Sequence, residues 1–79
     1  MNMRAKFEVV EVTTPYPGTE ELHMRAVTEK PFDEGGNSED NSFAKWSPTG
    51  ELRMEITNPN LHGTFKAGDK YYLDFTKAE

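Results

Sequence analysis

Period-two alternation of apolar and polar side chains recurs in four separate segments of this chain, and no stretch sustains a 3.6-residue period. That pattern commits the chain to half-buried strands, because successive strand residues point to opposite sides of a sheet. In the first segment Ala5, Phe7 and Val9 share one side, and Arg4, Lys6, Glu8 and Val10 share the other. It is expected to run to about Val12, where Thr13-Thr14-Pro15-Tyr16-Pro17-Gly18-Thr19 interrupts it with residues suited to a reversal. The second sets Leu22, Met24 and Ala26 against Glu21, His23, Arg25 and Val27, and pairs with the first as an antiparallel hairpin with a longer loop. The third is the cleanest: Leu52, Met54 and Ile56 alternate with Glu51, Arg53, Glu55 and Thr57, between Ser47-Pro48-Thr49-Gly50 and Asn58-Pro59-Asn60. The fourth opposes Tyr71, Leu73 and Phe75 to Tyr72, Asp74 and Thr76, and is entered through a Gly68-Asp69 turn. Helix is confined to single turns at 42–46, where Asn41 is placed to cap it, or at 59–62.

These segments predict one all-β, mainly antiparallel domain over residues 1–79: a small curled sheet, an open barrel or a compact sandwich. Barrel or sandwich is the favoured form, since four apolar faces must be buried and closure removes edges. At 79 residues the core is small and its margin thin. There are no cysteines, so neither disulfides nor thiolate metal sites can reinforce it. Homo-oligomerisation or tight association with a partner is the remaining route to added stability.

Fourteen acidic and nine basic residues give a net charge of −5. That balance disfavours nucleic acid, which is bound mainly by neutralising phosphates, and disfavours anionic membranes. No apolar run approaches a membrane span, and Met1-Asn2-Met3-Arg4-Ala5-Lys6 leads into a strand and not into an apolar signal core, so a cytoplasmic location is expected.

The long loop over residues 31–49 is the candidate site, since loops of this length in compact domains are usually functional or disordered. Asp33 to Asn41 is polar and acidic around Gly35-Gly36 and is expected to be mobile. Phe43 and Trp46, the single tryptophan, flank Lys45 and would share one face of a helical turn. Two uses of these aromatics compete. With Phe32 they fold down and plug the end of the sheet, or they stay exposed beside Glu39, Asp40 and Asn41 as a hot spot for a protein partner.

Other chemistry is poorly supplied. Asp33, Glu34, Asn37, Glu39 and Asp40 lack the ligand spacing of a calcium loop. His23 and His62, expected on an outer strand face and in a loop, are not spaced as a metal pair. Gly35-Gly36 has no Lys-Ser/Thr behind it to make a phosphate loop. Arg4, Lys6, Arg25 and Arg53 fall on outward strand faces with Glu8, Glu21, Glu51 and Glu55, as cross-strand ion pairs or as an anion-binding patch. The expectation is a binding protein and not an enzyme, without cofactor or metal.

EDNSFAKWSPTGELRMEITNP followed by TFKAGDKYYLDFTKAE, behind an RAKF-like first strand, resembles a set of short uncharacterised proteins encoded by tailed bacteriophages. The likeness spans nearly the whole chain, is most specific over 39–57 and 65–76, and departs at Pro15-Tyr16-Pro17-Gly18. It carries no catalytic residues across. It implies a phage accessory protein acting on a host or viral protein in the host cytoplasm. A head or tail decoration protein of the virion is the alternative, and a sponge for a nucleotide signal, using loop aromatics and strand arginines, is a third.

Overall fold

The computed structural model describes residues 3–46 and 48–79. Four antiparallel strands form one sheet: β1 (Met3–Tyr16), β2 (Thr19–Ala26), β3 (Glu51–Ile56) and β4 (Lys70–Phe75), in the spatial order β3-β2-β1-β4. The all-β antiparallel class and the long central loop are as the sequence implies. The sheet stays open, and the barrel or sandwich is not formed, because among the described residues the two edge strands, β3 and β4, do not pair with each other to close a ring.

The first hairpin is tighter and longer than expected. β1 continues through Pro15 to Tyr16, which pairs with Thr19 across Pro17-Gly18. Proline at the first central position and Gly18 at φ 79° are what a type II turn requires. The ladder tolerates Pro15 because the register slips between Thr13 and Tyr16, and because β4 pairs only with Met3–Glu8, leaving this part of β1 unpaired on its other side. A second slip leaves Val10 without a partner between Val9↔Met24 and Glu11↔His23. This bulge lets Ala5, Phe7, Val9 and then Val12 face the same side.

That side holds the core. Ala5, Phe7 and Val9 meet Leu22, Met24 and Ile56, and Val12, Ala26, Phe43, Leu52, Phe65, Tyr71 and Leu73 pack around them. The connection from β3 to β4 must travel from one edge to the other. It makes a 3-10 turn at Pro59–Leu61, capped by the Asn58 side chain on the Asn60 amide, and delivers Phe65 against Tyr71 with ring centroids 5.1 Å apart. The short helical turn expected at 59–62 is therefore present, and the one expected at 42–46 is not. Ser47, the first residue of the turn expected before β3, lies outside the described residues, as do Met1 and Asn2.

One layer with loops leaves much surface in water. The accessible area is 5,810 Å², against about 4,850 Å² for a compact monomer of this mass. The radius of gyration is 14.4 Å, against about 11.6 Å for a compact chain of this length.

Candidate functional site

On the polar side of the sheet, neighbouring strands bring opposite charges together. Arg4 grips Asp74 with two hydrogen bonds, Nε to Oδ1 at 2.8 Å and Nη2 to Oδ2 at 3.1 Å, and its guanidinium lies 4.6 Å from the centre of the Tyr72 ring. Those bonds raise the Arg4 pKa and lower that of Asp74. Arg25 reaches Glu8 at 3.4 Å, and Arg53 reaches Glu21 at 3.6 Å. Lys6 holds Glu29 at 2.6 Å, and Lys70 holds the same carboxylate at 3.2 Å. Hydrogen bonds from the two lysines keep Glu29 below its ordinary range. Arg4, Arg25 and Arg53 thus form cross-strand ion pairs, whereas Lys6 pairs with Glu29 in the loop that follows β2.

Asp40 organises the long loop. Its side chain is fully buried, although the EDN run around it reads as a solvated acidic stretch. Oδ2 accepts from the Glu29 amide at 2.6 Å and the Lys30 amide at 2.8 Å, and Oδ1 accepts from the Tyr72 hydroxyl at 2.9 Å with Lys6 Nζ at 3.6 Å. Burial pushes its pKa up, but the two amides, the hydroxyl and the ammonium outweigh that, and it sits below the ordinary carboxyl value. Asn41 is buried beside it, bonding Thr28 through Nδ2 and accepting the Ala44 amide on Oδ1. Ser42 then takes the place that a longer β2 would have filled: its amide donates to the Arg4 carbonyl and its Oγ accepts the Arg4 amide. The acidic stretch before it follows a bonded path, with the Asp33 carboxylate accepting the amides of Gly35 and Asn37. These amides, Asn37 foremost, lower the Asp33 pKa.

The five residues expected to meet a partner therefore separate. Asp40 and Asn41 are inside and engaged, so they present nothing to a partner; their burial is the correction the structure makes to that group. Phe43 packs against the core and lines a small apolar cleft with Met3, Ala5, Phe7 and Phe75. Glu39 is exposed and lies 3.6 Å from Lys30. Trp46 is 56% exposed, rests on Phe32 with centroids 5.6 Å apart, and holds a left-handed backbone at φ 61°. Its indole covers Gly36, where a Cβ would collide with the ring. Phe43 and Trp46 do not share a face.

The sequence reading missed an apolar trough of about 270 Å³ on the core side of the sheet. Leu22 and Met24 contribute from β2, Leu52 and Met54 from β3, and Phe65 and Leu73 from the far side. Met54 is 51% exposed. The alternation of 52, 54 and 56 signalled an inward face, but Ile56 is covered while Met54, on the edge strand, stays open.

Both histidines are more enclosed than expected. His62 Nε2 lies 2.8 Å from the Ile56 carbonyl, while His23 Nε2 is buried without a hydrogen-bond partner among the described residues, 3.9 Å from a Glu51 carboxylate oxygen. Among the described residues, no group of three or more His, Asp or Glu side chains is placed to hold a metal ion, and no helix is long and apolar enough to cross a membrane.

No family model, curated protein or solved structure matches this chain.

Proposed function

We propose that this chain is a non-enzymatic binding module, an accessory protein of a tailed bacteriophage that engages a host or viral protein through its apolar sheet face. The trough over Leu22, Met24, Leu52 and Met54 is the observation that carries this reading. It is apolar and open, and it is backed by strands, so an apolar side chain of a partner can enter without rearranging the sheet. The ionisable groups of the opposite face support a binding role over catalysis: they are spent on one another and on anchoring the loop. The phage context rests on the resemblance carried by residues 39–57 and 65–76.

A second surface is supported by Trp46, which stays more than half exposed on a left-handed backbone, a conformation that costs about 1–3 kcal/mol in a non-glycine residue. One experiment separates the two. Tagged wild type, Met54→Glu and Trp46→Ala are each recovered from infected cells and the co-purifying proteins identified. Binding through the trough predicts that Met54→Glu loses the partner and Trp46→Ala keeps it. The reverse pattern assigns the site to the loop and rejects the trough. A capsid or tail protein as the partner would place the chain in the virion.

A further inference from the structure

We propose that two copies of this chain pair edge to edge through β4, forming one continuous sheet twice the width of the four-stranded one. This does not depend on what the apolar trough binds.

Among the described residues, β4 has β1 on one side and no strand on the other. Which of its backbone groups face the open side follows from β1. The Arg4 carbonyl accepts from Ser42 and the Lys6 carbonyl from Val27, so these residues bond toward β2 and the loop. Met3, Ala5 and Phe7 therefore bond toward β4, to their register partners Phe75, Leu73 and Tyr71. The N–H and C=O groups of Lys70, Tyr72 and Asp74 are left pointing outward.

Antiparallel pairing of β4 with a copy of itself brings all three outward residues into mutual pairs only when Tyr72 faces Tyr72 of the partner subunit. In that register Lys70 faces Asp74 of the partner subunit, and two-fold symmetry makes the contact twice. Opposite charges directly across a seam are favourable, and here they extend the Arg4–Asp74 pair already present. On the apolar side, Leu73 faces Tyr71 of the partner subunit.

The other edge behaves in the opposite way. The Ala26 amide donates to the Gly50 carbonyl, so even-numbered residues of β2 bond toward β3, to Leu52, Met54 and Ile56. Glu51, Arg53 and Glu55 are left outward. Full-overlap pairing of β3 with itself would set Arg53 against Arg53 and Glu51 against Glu55, like charges at each outward-bonding position. The β3 edge therefore resists pairing in its longest register, which favours a closed dimer through β4 over growth into a fibre.

Light scattering on the eluting protein tests the pairing. Wild type at several hundred micromolar is expected at twice the 9.0 kDa chain mass. Lys70→Glu and Asp74→Lys should each run at the single-chain mass, because each puts like charges across the seam. Mixed in equal amounts they should recover the doubled mass, since each new charge then meets its opposite. Amide exchange on the wild type gives an answer independent of how the variants fold: the Tyr72 and Asp74 amides should gain protection as concentration rises, while those of Arg53 and Glu55 should not. A wild type at single-chain mass throughout, a doubled mass that both folded variants retain, or protection at Arg53 and Glu55 instead would overturn the proposal.

Discussion

Replacing Asp40 by asparagine removes one negative charge and almost no volume. The wild-type carboxylate accepts three short hydrogen bonds, from the Glu29 and Lys30 amides and the Tyr72 hydroxyl, with the Lys6 ammonium close by. An asparagine can turn its carbonyl toward the two amides and its amino group toward the hydroxyl, which keeps the bonds but makes them neutral. Hydrogen bonds to a charged group contribute about 1.5–3 kcal/mol and neutral ones about 0.5–1.5 kcal/mol, so the loss over the two amide bonds alone is about 2–3 kcal/mol. A domain of this size has a total stability on the order of 4–12 kcal/mol. Asp40→Asn should therefore lower the midpoint of thermal unfolding by about 10–20 °C. Asp40→Ala, which leaves the donors without an acceptor, should lose about 3–5 kcal/mol. Urea unfolding followed by far-ultraviolet circular dichroism and by Trp46 fluorescence measures both; the two signals should move together, because Phe43 ties the loop to the core.

The pH dependence has a definite sign. The Asp40 pKa is lower folded than unfolded, so its contribution is complete above the unfolded carboxyl range and is lost as pH falls through the folded value. The stability gap between wild type and Asp40→Asn should accordingly be widest near neutrality and close in acid. Asp33, Glu29 and Asp74 are lowered in the same direction, so the variant keeps a shallower acid limb of its own. A gap below about 0.5 kcal/mol at pH 7, or one that stays constant down to strong acid, would refute the reading of Asp40 as a charged anchor.

Phe43→Ala should destabilise the fold by about 2–4 kcal/mol, less than a fully enclosed phenylalanine, as read by denaturant midpoint. Gly36→Ala should displace the indole, since Gly36 holds φ 81° beneath it, and a red shift of Trp46 emission would report the displacement. Gly18→Ala should cost about 1 kcal/mol by urea titration, from the positive φ its turn requires.

The strands were legible because alternation is local. Residues 51–56 could be assigned from side-chain pattern alone, and β4 is shifted by one residue from the expected 71–76. Pro15 misled because proline breaks most ladders, and its tolerance depends on a register slip and an unpaired flank that only the strand order creates. Asp40 was illegible for a similar reason. Its donors come from residues 29, 30 and 72 and its cation from residue 6, and no spacing along the chain brings those four together. The trough escaped notice because four apolar faces imply closure, and whether closure occurs is a property of strand order and not of any strand.

The position of β1 in the middle of the sheet bears on how the chain folds during synthesis. β1 and β2 meet across a two-residue turn and can pair as soon as both are made, with β3 adding to the far side of β2. The remaining flank of β1 waits for β4, and the Arg4–Asp74 contact that seals it spans 70 positions of sequence. Such long-range pairing is slow, and until it forms, the backbone of Met3–Phe7 stays open to any extended segment nearby. A product interrupted before residue 70 would carry that flank permanently, and aggregation of nascent or truncated chains should begin there.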